Sequence, residues 1–373
     1  MKKKIILAYS GGLDSSVVIP WLIENQSCNV IAVCVDVGQN VNFNEIKKRA
    51  LKFGALACHV IDAKKQFIED ILWPILKSGA VYEDKYLLGT PAARILITKI
   101  IAEYARGEKA HAIAHGAKAK SIDFERFALM FNNLVPDIEL IAPWQTWKLK
   151  SPEEELRYLT RRKLPKPEYK KNSYISDDNL WNVSHEGREL NDLAEEPQLK
   201  KILLNTVIPE KAQSKPCYVE IEFEKGLPVA LNRKKMESLA IVKMLNKIGG
   251  DNGIGITDLI EKNKSGINYR RLYEAPGVSI LYYAHKELEH MCLDRETYAF
   301  KQQAAFKMSE IVYKGLWFSS LQKALSAFAD STQKTVNGTV RLKFYRGLIS
   351  SAGLSLNSSV NKQPAQEKIG KRK

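Results

Sequence analysis

Apolar residues fall into short unbroken runs before Lys150, and into alternation or helical spacing after it. The runs at 5–8, 30–37, 55–61, 111–115 and 138–142 have the length and branching of strands buried on both faces. Between them, 17–24, 43–53, 67–77 and 92–104 carry helical spacing, with Gly54 placed to end the second of these helices. Strands that alternate with helices predict an α/β fold with a doubly wound parallel sheet. Ligands of such sheets sit beyond the carboxyl ends of the strands. That rule puts 10–16, Gly38, His115-Gly116 and Pro143-Trp144 on one rim.

Ser151-Pro152-Glu153-Glu154 then opens a further helix, with a cap, a proline at its first position and an acid at the capping-box position. A basic, proline-bearing stretch at 161–171 reads as a linker, dividing domains at 1–165 and 166–353. The second half predicts an α+β domain. Its hairpin of 218–223 and 229–231 turns at Gly226-Leu227-Pro228, and a helix at 236–248 is closed by Gly249-Gly250. Helices follow at 279–290, 295–314 and 319–331, then a hairpin of 339–345 with 348–350. A polar basic tail, 354–373, predicts disorder, in force from Ser355.

The first strand runs directly into Ala8-Tyr9-Ser10-Gly11-Gly12-Leu13-Asp14-Ser15-Ser16. Adjacent glycines let backbone amides close on an anion, and a helix start adds its positive dipole end. The side-chain oxygens of Asp14, Ser15 and Ser16 are placed to cap that helix. No Gly-Lys-Ser/Thr follows and no G-x-G-x-x-G is present, which excludes the two commonest nucleotide loops. The stretch Ser10–Ser15 resembles instead the pyrophosphate loop of ATP pyrophosphatases, which split ATP to AMP and pyrophosphate.

Composition narrows the class. No run approaches the roughly 18 apolar residues of a membrane span, so no membrane partner and a cytoplasmic location are expected. The five cysteines include no C-x-x-C pair and predict reduced thiols, not a metal or redox site. A net charge of +15 concentrates at 148–171 and 368–373. Solvated surface accounts for these clusters better than a nucleic-acid partner, for which no binding module is visible.

From Tyr86-Leu87-Leu88-Gly89-Thr90 onward, the chain resembles the argininosuccinate synthase family. Asp36-Val37-Gly38-Gln39, Ala114-His115-Gly116-Ala117, Ile141-Ala142-Pro143-Trp144, Asp178-Asn179-Leu180, Ser184-His185-Glu186-Gly187, Tyr273-Glu274-Ala275-Pro276-Gly277 and Leu293-Asp294-Arg295-Glu296 follow in family order. The resemblance implies an ATP-dependent ligase that adenylates the ureido oxygen of citrulline and joins it to aspartate. ATP would lie on Ala8, Tyr9, Ser10, Gly11, Gly12, Leu13, Asp14, Ser15 and Ser16, with Val35 near the adenine and Gly116 closing over the phosphates. Asp14 would help hold Mg²⁺ through water, and no separate protein metal site is implied. Tyr86, Arg126, Ser184, Glu261 and Tyr273 would take citrulline, while Asp123 and Lys118 would meet aspartate. Asp14 and Asp123 are the catalytic candidates.

The family loop reads H-G-x-T-G-K-G-N-D-Q-x-R-F, against His115-Gly116-Ala117-Lys118-Ala119-Lys120-Ser121-Ile122-Asp123-Phe124-Glu125-Arg126-Phe127 here. Pro91 and Ile175 likewise stand where the family has serines. Two alternatives follow: a paralogue adenylating a different ureido or carboxyl substrate, and an ATP-binding pseudoenzyme. The resemblance implies a homo-tetramer, joined by a C-terminal arm in whose place this chain has 354–373.

Overall fold

The computed structural model describes residues 2–119, 121–149, 151–167, 174–262 and 266–356. Strands β1 (Lys4–Ala8), β2 (Asn29–Asp36), β3 (Ala57–Asp62), β4 (Ala112–His115) and β5 (Glu139–Ile141) form one sheet. Their order is β3-β2-β1-β4-β5, and every pair is parallel. Alternation along β1 sends Ile5 and Leu7 to one face and Ile6 to the other, and each joins a separate buried cluster. The chain reverses direction across the sheet between β1 and β4, which opens a crevice at their carboxyl ends.

The helices of this half are α1 (Leu13–Gln26), α2 (Phe43–Lys52), α3 (Lys64–Gln66), α4 (Trp73–Ser78), α5 (Gly89–Gly107), α6 (Ile122–Leu134), α7 (Pro143–Thr146) and α8 (Pro152–Arg161). Between α3 and α4 the backbone widens into a π-helical segment, Phe67–Leu72, within the stretch expected as one plain helix. Helix α6 is an addition to the sequence expectation. Phe127, Met130 and Phe131 supply its buried face at helical spacing, and the Ser121 side chain caps it by accepting from Phe124 N. Ser151 caps α8 as its sequence predicts, accepting from Glu154 N.

The second half contains β6 (Ile175–Asp178), β7 (Val183–Glu186), α9 (Leu199–Ile202), β8 (Cys217–Glu224), β9 (Leu227–Leu231) and β10 (Lys234–Lys235). It continues through α10 (Ser238–Asp251), β11 (Ile256–Lys262), β12 (Asn268–Glu274), α11 (Pro276–Cys292), α12 (Arg295–Lys314), α13 (Ser320–Gln333), β13 (Gly338–Tyr345) and β14 (Leu348–Leu356). Two antiparallel sheets result, β10-β9-β8-β13-β14 and β11-β12-β7-β6.

Several local expectations are corrected. The first hairpin turns at Lys225-Gly226, both at positive φ, while Pro228 sits in β9 opposite Phe223. Gly249 and Gly250 lie inside α10, not after it. They are small because a Cβ would come within 2.8 Å of Pro276 and 2.3 Å of Asn205 O. Ser355 and Leu356 belong to β14, paired with Thr339 and Gly338. The rest of the expected disordered tail, 357–373, and the last part of the linker, 168–171, lie outside the described residues.

The smaller sheet docks against the rim of the parallel one. Leu180 N donates to Val37 O at 3.0 Å, Trp181 Nε1 to Leu87 O at 3.0 Å, and Asn40 N to Asp178 Oδ2 at 2.8 Å. Gly38, at φ 96°, admits the Leu180 side chain where any Cβ would stand 2.3 Å from it. One buried cluster therefore runs from Ile6 and Val35 through Tyr86 and Trp181 to Tyr273 and Leu281.

Candidate active site

Gly11 turns at φ 79° with Arg49 donating to its carbonyl, and Gly12 becomes the N-cap of α1. Asp14, Ser15 and Ser16 therefore lie within the helix, and no side chain caps its start. This corrects the expected capping by their oxygens. Ser10 Oγ meets Ser15 Oγ at 3.0 Å and Tyr9 OH meets Ser16 Oγ at 3.1 Å, which tie the turn to itself. Burial pushes the Tyr9 hydroxyl up to about 12, so it stays protonated. First-turn amides that no side chain satisfies, at the positive end of a helix, suit an anion. Gly116 approaches from β4 so closely that a Cβ there would lie 3.1 Å from Ser15 N. Ala8 ends β1 beside this turn, and Val35 is buried in β2 opposite Ile61.

Two carboxyl groups stand beside the turn. Glu155 of α8 is fully buried, and neither of its oxygens has a hydrogen-bond partner. Burial, then the Asp14 charge, raises its pKa to about 9. Asp14 is about one-third exposed, with Lys118 Nζ 3.8 Å from its Oδ2. A neutral Glu155 stands next to Asp14, and the accessible Asp14 carboxylate is the hard-oxygen group that fits Mg²⁺, which takes one or two carboxylates alongside substrate phosphates.

A second wall is a continuous chain of contacts. The Tyr86 and Tyr273 rings stack at 4.2 Å, and Tyr273 pairs in register with Ser184. Ser184 Oγ donates to Asp177 O at 3.4 Å. Arg94 of α5 then spans Asp177 (2.7 Å) and Asp123 (2.9 Å). Arg126 donates to Asp123 at 2.7 Å and to Tyr313 O at 2.6 Å. Tyr313 OH reaches Glu261 at 3.2 Å, and Glu261 also faces Arg271 at 3.2 Å. Burial alone would raise the Asp123 pKa, but Arg94 and Arg126 outweigh it and hold this carboxyl well below the usual range. Burial pushes the Tyr86 hydroxyl up to about 12 and that of Tyr273 higher still. Tyr273 OH and Thr90 Oγ1 are buried without partners, the condition of groups kept for a ligand.

Profiles described as the arginosuccinate synthase N-terminal HUP domain and C-terminal domain match residues 4–165 and 174–364. The argininosuccinate synthase of Caldicellulosiruptor saccharolyticus is 52% identical over 350 residues, covering 94% of this chain and 86% of that one. The enzyme of Acetivibrio thermocellus is 50% identical over 359 residues, covering 96% and 89%. The chain belongs to the argininosuccinate synthase family.

The fold of this argininosuccinate synthase-like chain brings 10–16 and Gly116 together at the turn, and links Tyr86, Ser184 and Tyr273 to Asp123, Arg126 and Glu261 in one chain of contacts, while Val35 is buried in β2. Arg94, Asp177, Arg271 and Tyr313, which bind these residues together, went unnamed in the sequence reading, as did Glu155. Arg94 follows the Tyr86–Thr90 motif by one helical turn, a usable signal; the others sit on strands or helices joined only by folding. Lys118, expected on the aspartate side, rests instead against Asp14 and the Trp144 ring. Ile122 opens α6, and Ile175 is exposed on the edge strand β6.

Proposed function

We propose that this protein is an ATP-dependent carbon–nitrogen ligase that makes argininosuccinate from citrulline and aspartate. What supports this is an uncapped anion turn met by Lys118 and, a few residues further along the chain at Asp123, a wall of paired charges with two orphaned hydroxyls, in a chain of this family. In this proposal the ureido oxygen of citrulline attacks the α-phosphorus of ATP, and pyrophosphate leaves. The aspartate amine then attacks the ureido carbon and AMP leaves. The amides of Gly12 to Ser15 hold the phosphates, Val35 borders the adenine, and Gly116 excludes water from above. Mg²⁺, held at Asp14 through water, would neutralise phosphate charge.

Tyr86, Ser184, Glu261 and Tyr273 orient citrulline, with Thr90 Oγ1 and Tyr273 OH open to its polar ends. Arg126 acts through Asp123, which it keeps ionised and therefore able to accept from an incoming amine. Nothing in this sequence of steps needs a protein nucleophile: positioning and fixed charge supply the rate. The domains divide at 165/166, and the protein works on small molecules in the cytoplasm as a homo-oligomer, which sedimentation would check.

The test is pyrophosphate release by the purified protein with ATP, citrulline and aspartate together. No release with any of the three left out, and argininosuccinate formed in equal amount, is the supporting result. Lys118 and Ile122 in the altered loop favour one second reading, a different amine as acceptor. Citrulline-dependent exchange of pyrophosphate into ATP without argininosuccinate would select it. ATP binding with no exchange would leave a pseudoenzyme.

A further inference from the structure

The phosphate turn carries one accessible carboxylate. Asp14 stands in the first turn of α1 beside the buried Glu155, which is held neutral, and a triphosphate would bring further negative charge to Asp14. The one cation in ion-pair contact with this pair among the described residues is Lys118, 3.8 Å from Asp14 Oδ2. Its stem is braced, with Nζ 5.6 Å from the centre of the Trp144 ring, and its side chain is about half exposed. The backbone that delivers it is held down at two points. Ala117 N donates to His115 Nδ1 at 3.2 Å, and Gly116 packs so closely that a Cβ there would lie 3.1 Å from Ser15 N. Lys118 thus reaches Asp14, in the first turn of α1, from a short, anchored tether. The family pattern has an uncharged threonine at this position.

We propose that Lys118 is a built-in cation of the nucleotide site. Without nucleotide its ammonium pairs with Asp14. With nucleotide it moves onto the phosphate oxygens beside the metal, so that this chain keeps hold of ATP even where Mg²⁺ is withheld. Lysine suits the task as a compact point charge on a flexible stem, free to exchange one anionic partner for another. The inference rests on the ATP reading above and adds to it what neutralises the phosphates.

The experiment is calorimetric titration of the full chain with ATP, in Mg²⁺ and again in EDTA, for wild type, Lys118→Thr and Lys118→Met. Wild type should bind ATP in EDTA within about tenfold of its Mg²⁺ affinity. Both variants should lose roughly tenfold or more in EDTA and no more than a few-fold in Mg²⁺, the size of one lost charge-assisted contact. Thermal melting confirms that the variants fold. If the variants lose equally in both conditions, or bind better in EDTA, Lys118 merely pins Asp14 and the inference is overturned. Wild type binding ATP only with Mg²⁺ overturns it without any variant and leaves the ATP reading standing. No binding in either condition sinks the ATP reading itself.

Discussion

Nine consecutive residues from Ala8 to Ser16 make the anion turn, while the second wall gathers Tyr86, Arg94, Asp123, Arg126, Ser184, Glu261 and Tyr273 from five separate elements and the loop before α5. The turn is held by contacts a few residues apart, such as Ser10 to Ser15 and Gly12 to Ser16. The wall is held by contacts such as Arg94 to Asp177 and Arg126 to Tyr313, which span 83 and 187 positions. A site made locally keeps its chemistry wherever the strand–turn–helix survives. A site assembled at long range depends on every element that presents it, and one exchanged residue alters what it recognises. Of the departures from the family pattern, Pro91, Ile122 and Ile175 lie on elements of that second side, while Lys118 stands against Asp14 of the turn.

The sharpest way to break this contrast is Asp123→Asn. It leaves Arg94 with Asp177 alone and Arg126 without its carboxylate partner. Losing one member of a fully buried pair costs about 3–5 kcal/mol, and the Asp123 side chain keeps 25% exposure, so about 2–3 kcal/mol is expected in a denaturant melt. Ligation should fall more than about a hundredfold while ATP binding stays within about threefold, since the turn is untouched. Equal loss of both would show the two walls to be one unit.

Acid should act on the joint between the walls. His115 ends β4 of the phosphate rim but packs on Phe124 and Phe127 of α6. Burial lowers its pKa to about 4, against the pull of Asp123. The unfolded chain takes up the proton first, so stability falls as pH drops from about 6.5 towards 4, by on the order of 3 kcal/mol. His115→Gln should flatten that slope in melts across the window, and an unchanged slope would remove His115 from the account.

Ile122→Asn returns an amide to the start of α6. If the altered loop is what weakens aspartate binding, its KM should drop roughly tenfold with citrulline kinetics unchanged. The smallest change is Tyr273→Phe. The hydroxyl removed has no partner, so stability should hold within about 1 kcal/mol or rise. The KM for citrulline should rise severalfold, and a loss of stability instead would mean the hydroxyl is structural.

The parallel sheet, its rim and the phosphate turn were legible in the residue order because their causes are local. Apolar runs of strand length, paired glycines and a cap such as Ser151 act within a few positions of themselves. Even there, the cap of α1 was misassigned, because where the helix begins depends on the close approach of Arg49 and Gly116 to the turn. The sheet β11-β12-β7-β6 escaped notice, since short mixed strands such as Ile175–Asp178 gain their identity only from partners far along the chain. The same holds for the charge wall. The family resemblance nominated Arg126, Asp123 and Glu261, but only folding decided that Arg94 and Arg271 would stand against them. Only folding turned Lys118 toward Asp14. Charges interact through space over a few ångströms, and the order of residues along the chain does not record which distant ones the core will bring that close.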